Sequence, residues 1–92
     1  MVKEVRASHI LVKSQEKATE LLNKIKIGQS FEKLAMENSL CPSKKKGGDL
    51  GWFGRGKMIR EFENAAFNLK KNEMVIVKTD FGWHIIKKVD EK

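Results

Sequence analysis

Three side chains in this 92-residue sequence could act as nucleophile, base or metal ligand: His9, Cys41 and His84. A cysteine beside a histidine is a nucleophile–base pair, and the same three residue types suit zinc. The spacing supports neither reading. No two of them stand at a short chelating interval, no Asn or Asp is placed as a third member, and nothing local suggests an oxyanion hole. A second constellation, Gly51-Trp52-Phe53-Gly54-Arg55-Gly56-Lys57-Met58, runs close to the phosphate-loop pattern G-x-x-x-x-G-K-[ST]. Met58 cannot supply the hydroxyl that ligates magnesium, and two bulky aromatics would crowd a backbone that must wrap phosphates. A third, Lys44-Lys45-Lys46 in a chain with two Trp and five Phe, raises nucleic-acid binding. Against it, most aromatics occupy core-like positions and acidic residues are interspersed through the helical segments. The residues alone describe a polar site in an apolar pocket.

The elements that carry these residues can be read from periodicity. Residues 5–12 (VRASHILV) are short, β-branched and apolar, which predicts a strand. Alternation puts Ala7, His9 and Leu11 on one face, and Ser8, Ile10 and Val12 on the other. Residues 74–78 and 83–89 predict two more strands, the last carrying His84, joined by a hairpin loop of four to five residues around Thr79-Asp80-Phe81-Gly82. Ser14 is placed to cap a helix whose stripe is Ala18, Leu21, Leu22 and Ile25, with Gly28 as its stop. Ser30 starts a shorter one that buries Phe31, Leu34 and Ala35. Cys41 to Gly48 is turn chemistry around a basic run, and residues 50–53 predict a short strand. Phe62, Ala65, Ala66 and Leu69 set a further helix over 60–69. The order β-α-α-(short helix or loop)-β-α-β-β implies an α+β fold, helices packed around a small and largely antiparallel sheet.

Composition narrows the classes. A chain this short buries only about 60–65% of its unfolded surface, enough for one domain over 1–92 with a shallow groove, not for a two-domain nucleotide cleft. The 40% hydrophobic and 34% charged content is that of an ordinary globule. The single cysteine excludes an intramolecular disulfide. Charges occupy the N-terminal stretch where a signal peptide needs an apolar core, and no apolar run nears the roughly 20 residues of a bilayer span. A cytoplasmic monomer without membrane attachment is expected. The net charge of +7 is the excess that needs a reason.

Five segments resemble, in order, the signature segments of parvulins, a family of peptidyl-prolyl cis-trans isomerases. They are Ala7-Ser8-His9-Ile10-Leu11-Val12, Gly47-Gly48-Asp49-Leu50-Gly51-Trp52-Phe53, Gly56-Lys57-Met58, Phe62-Glu63-Asn64-Ala65-Ala66-Phe67 and Phe81-Gly82-Trp83-His84-Ile85-Ile86. The small single-domain bacterial members are also similar at Ser39-Leu40-Cys41-Pro42-Ser43. The resemblance implies a parvulin-like (FKBP-like) four-stranded antiparallel sheet surrounded by helices, and no cofactor or metal. It matches His9 and His84 to the paired histidines of the site, Thr79 to a hydroxyl near them, and Cys41 to a position that carries Cys or Asp. Leu50, Met58 and Phe62 match the proline-ring pocket, and Phe53 a core aromatic. Lys13-Ser14-Gln15 leads straight into a helix, without the long basic loop of the phosphate-specific branch. Asn72 to Lys78 lacks the usual Gly and Pro and is one residue shorter, which leaves the register of the strand around 75–78 open.

The implied partners are proline-containing peptides and unfolded protein segments. Two other uses of the same surface stay open: a peptide-binding chaperone groove without significant catalysis, and nucleic-acid binding. Lys44, Lys45 and Lys46, between Cys41 and Leu50, would form a basic rim beside the groove.

Overall fold

The computed structural model describes residues 2–92. Strand β1 (Glu4–Val12) leads into helices α1 (Gln15–Lys26) and α2 (Phe31–Asn38), then a 3₁₀ helix over Pro42–Lys46. Strand β2 (Asp49–Gly54), helix α3 (Arg60–Asn68) and strands β3 (Met74–Thr79) and β4 (Gly82–Glu91) complete the chain. The four strands form one sheet in the order β2-β1-β4-β3, with every neighbouring pair antiparallel. This is the α+β arrangement that the periodicity implies. No helix among the described residues is long and apolar enough to cross a membrane.

The helix starts are set by the serines. Ser14 accepts from the Lys17 N–H and Ser30 from the Lys33 N–H, each at 3.1 Å, which satisfies donors that the first turn leaves unpaired. The strand alternation then sorts the core onto two faces. Ile10, Val12 and Ile85 pack under Ala18, Leu21, Phe31, Leu34 and Ala35 of α1 and α2. Val5, Ala7, Phe53 and Ile86 pack under Phe62 and Ala66 of α3. Burying each larger apolar side chain contributes about 1.5–3 kcal/mol, so both sheet faces are needed to hold so small a domain. His9 and His84 lie on the α3 face, and the alternation of β1 places His9 there.

Two details depart from expectation. The β3–β4 hairpin closes on Thr79 opposite Gly82, so its loop is the two residues Asp80 and Phe81, not four to five. Gly82 makes this possible. It takes φ +137°, and a Cβ there would stand 2.6 Å from the Val12 carbonyl oxygen. The register left open around 75–78 is also resolved, with Val75 opposite Ile86 and Val77 opposite His84. Asn72 supplies the left-handed turn before β3 in place of a glycine, with φ 72°.

Lys88 is 1% exposed, an outcome the sequence did not suggest. Its ammonium donates to the Phe67 carbonyl near the end of α3 at 3.3 Å and pairs with Glu91 at 2.8 Å. It thereby ties the negative end of α3 to the sheet.

Candidate active site

Strands β1 and β4 pair through the middle of the sheet, Leu11 opposite His84 and His9 opposite Ile86. This brings the imidazoles of His9 and His84, 75 positions apart, to an Nδ1–Nδ1 distance of 3.0 Å. The rings stack at 5.2 Å between centroids, and Phe62 of α3 meets each edge-on at 5.4 and 5.5 Å. Thr79, from the end of β3, hydrogen-bonds His84 Nε2 through its hydroxyl at 2.7 Å. The same oxygen accepts the Phe81 N–H at 3.1 Å, so the tight turn positions the histidine partner. The chain of contacts ends at His9 Nε2, which is buried with no partner among the described residues.

At most one of the two facing Nδ1 atoms can carry a proton, so the pair cannot hold two imidazolium charges. Burial drives the His9 pKa down to about 4, and the neighbouring His84 adds to the effect. Burial also lowers His84. The pair is therefore neutral at physiological pH, able to orient and hydrogen-bond but not to serve as a charged acid.

A depressed histidine pKa has a stability consequence. Between about pH 6.5 and 4 the unfolded chain binds more protons than the folded one, so the pair's contribution is complete above that window and lost as pH falls through it. For His9 alone the domain is expected to be about 2–3 kcal/mol less stable at pH 4.5 than at pH 7.5. Asp49, held low first by its hydrogen bond from Arg6, adds a loss of the same sign only toward the acid end of this window. Urea midpoints at the two pH values test this, and equal midpoints would exclude a buried neutral pair.

Above the histidines lies an apolar cavity of about 500 Å³. His9, His84 and Phe62 form its buried floor, and Leu50 and Met58 its wall. Leu11, Leu40, Pro42, Ile59 and Phe81 complete the lining. Cys41 is held at the edge because the segment after α2 is zipped onto the end of β1. Leu40 N–H donates to the Leu11 carbonyl at 2.8 Å, and Ser39 Oγ accepts from both Leu11 and Cys41 N–H groups. Among the described residues no hydrogen bond joins the Cys41 thiol to either imidazole, whose Nδ1 atoms are turned to each other.

The structure thus gathers His9, Cys41, His84, Leu50, Met58 and Phe62 around one cavity, with Thr79 buried behind His84 rather than lining it. Lys44, Lys45 and Lys46 are exposed but none lines the cavity. The 3₁₀ turn after Pro42 closes through Gly47 N–H to the Lys44 carbonyl and Gly48 N–H to the Ser43 carbonyl. Gly47 then packs against Glu32 of α2, and Lys46 lines a separate cavity with Arg6, Asp49 and Lys87. The cation that does line the site cavity is Lys57, which falls within both the phosphate-loop match and the Gly56-Lys57-Met58 segment of the resemblance but was given no role there. The apolar rim residues Leu40, Ile59 and Phe81 were also missed. Their signal was apolar character outside any helical or strand stripe, and they remain 53%, 38% and 68% exposed. Trp52 lies elsewhere, under the Lys92 ammonium.

An antiparallel sheet with a buried histidine pair beneath an apolar groove is the arrangement that the resemblance to parvulin-type prolyl isomerases implies. The comparisons with known proteins give the same answer. The profile of the PPIC-type PPIASE domain matches residues 1–92. The foldase protein PrsA of Geobacillus kaustophilus (strain HTA426) is 54% identical over 90 residues, covering 96% of this chain and 32% of its own. Among solved structures, NmPin, the parvuline of Nitrosopumilus maritimus, is similar with a TM-score of 0.86 and 44% identity over 94% of this chain and 95% of that one. PrsA from Bacillus subtilis is similar with a TM-score of 0.93 and 50% identity, covering 97% of this chain and 36% of that one. The chain belongs to the parvulin family, the PPIC-type peptidyl-prolyl isomerase domains. It spans about a third of the length of the PrsA relatives it matches.

Proposed function

We propose that this chain accelerates cis-trans rotation about X-Pro bonds in peptides and unfolded protein segments, without a covalent intermediate and without dependence on phosphate. The observation that carries the reading is the neutral His9–His84–Thr79 array directly beneath an apolar cavity. Rotation about a peptide bond is opposed by about 18–20 kcal/mol because the C–N bond has partial double-bond character. An X-Pro bond still takes tens to hundreds of seconds, although its isomers differ by only about 0.5–1 kcal/mol. No bond has to break, so the requirement is to bind the twisted amide better than either planar form. The ring seats against Leu50, Met58 and Phe62. Excluding water there disfavours the charge-separated resonance form, which is what makes the bond stiff. Groups at Cys41 and the histidines then follow the carbonyl as it turns. A barrier lowered by about 5–7 kcal/mol is about 10⁴–10⁵-fold in rate.

NMR exchange spectroscopy on Ala-Pro peptides, with the protein at catalytic concentration, tests this. Cross-peaks between cis and trans resonances that grow with protein concentration are expected. Binding without enhanced exchange would leave a peptide-holding groove instead.

Cys41 supplies the second test. A nucleophilic thiol needs a base within hydrogen-bond reach, and among the described residues no imidazole nitrogen, Nδ1 or Nε2, hydrogen-bonds the Cys41 thiol. A hydrogen-bonding or electrostatic part near the carbonyl is the role proposed. Cys41→Asp is then expected to keep kcat/KM within about tenfold of the parent, a loss under about 1.4 kcal/mol. An Asp variant that folds and is inactive would restore the covalent alternative.

A further inference from the structure

The cavity that receives the proline ring is apolar throughout, except for the polar groups of its floor and Cys41 and one formally charged side chain, Lys57. Lys57 lies in the segment between β2 and α3, next to Met58, and is exposed. Its backbone is pinned. The preceding Gly56 N–H donates to the Glu63 carboxylate of α3, and the other oxygen of that carboxylate takes the Arg55 guanidinium at 3.2 Å. Glu63 therefore neutralises Arg55 and holds the turn, but Lys57 itself enters none of the ion pairs among the described residues. An exposed lysine with no ion pair among the described residues thus borders an apolar groove.

Resting on the isomerase reading above, we infer that Lys57 makes this site selective for proline flanked by an acidic residue. An extended chain advances at most about 3.3–3.6 Å per residue. With the ring against Met58, the side chain adjacent to proline is thus the one Lys57 can reach. An adjacent carboxylate gains the attraction and a lysine meets the like charge. The surrounding apolar wall strengthens both effects relative to open water. Lys44 and Lys45, which line neither this cavity nor the one at Lys46, contribute only to the general field.

The test measures kcat/KM for three peptides that differ only beside proline, Glu-Pro, Ala-Pro and Lys-Pro, on the whole chain at low salt. Exposed charge pairs of this kind support about fivefold discrimination, so a Glu-to-Lys ratio of about five is expected, shrinking as salt is added. Lys57→Glu should invert the ratio and Lys57→Met bring it near one. Because the ratio is taken within each variant, partial loss of folded protein cancels. Lys45→Glu makes the same change in net charge outside the cavity and should leave the ratio as it is. A parent ratio near one overturns the inference, as does a ratio unmoved by Lys57→Glu or moved equally by Lys45→Glu. Acceleration of Ala-Pro with no charge contrast removes the role of Lys57 alone. Absence of acceleration on all three peptides overturns it together with the isomerase reading.

Discussion

Met58→Ala is expected to lower kcat/KM on Ala-Pro peptides by about 30-fold while leaving the domain folded. Met58 is half-buried in the segment between β2 and α3 and packs against the α3-side core from its edge. Its remaining surface lines the cavity. Truncation removes three heavy atoms that would cover the ring, worth about 2 kcal/mol at roughly 0.8 kcal/mol for each buried methylene. As a loss of transition-state stabilisation, 2 kcal/mol is about 30-fold. Phe62→Ala would reduce activity too, but with a different signature. Phe62 is 3% exposed and meets Phe53, His9 and His84, so its removal costs about 3–5 kcal/mol of stability as well. Catalytic rates by NMR exchange, paired with urea denaturation, separate the two. A Met58→Ala enzyme within threefold of the parent would mean that the ring is not held at this wall.

Gly48→Ala should lower the stability of the domain by about 4 kcal/mol. Gly48 has φ +89°, which costs an alanine about 1–2 kcal/mol. An added Cβ would also stand 2.5 Å from the His9 carbonyl oxygen, and Ala35 and Phe31 close the other side at 3.3 Å. The backbone cannot retreat without breaking the 3.0 Å bond from His9 N–H to the Gly48 carbonyl, worth about 1 kcal/mol. A domain of this size has about 5–14 kcal/mol in total, so the variant should unfold at much lower urea and bind peptide poorly when folded. A midpoint close to that of the parent would show that β1 and the β2 entry can separate, contrary to the close approach described. Gly28→Ala is the internal control, because its φ of +109° carries strain but nothing lies within 4 Å of the added carbon.

Much of this architecture was legible in local patterns. The period of two in residues 5–12 assigned His9 to the face opposite Ile10 and Val12. The caps Ser14 and Ser30 and the helical stripes depend only on neighbours in sequence, and these elements formed where the pattern put them. The resemblance picked out His9, Cys41, His84, Leu50, Met58 and Phe62, and the fold brings them to one cavity. The hairpin loop was misjudged because its length depends on Gly82 fitting under the Val12 carbonyl, a contact between strands.

The excess of positive charge shows the same division. Sequence alone determined that this chain is basic, that a lysine run follows Cys41, and that a polar pair would sit within apolar strands. Which lysine meets the groove was decided only in three dimensions. Lys44 to Lys46, on the 3₁₀ turn, do not line the cavity, while Lys57, which follows the clamp of Gly56 and Arg55 on Glu63, does. Likewise, the neutrality of His9 and His84 is no property of either residue. It arises because sheet pairing places their Nδ1 atoms 3.0 Å apart under Phe62, where water cannot solvate a charge. Local patterning depends on neighbours along the chain, whereas charge state and site membership depend on neighbours in space, and only the tertiary fold supplies those.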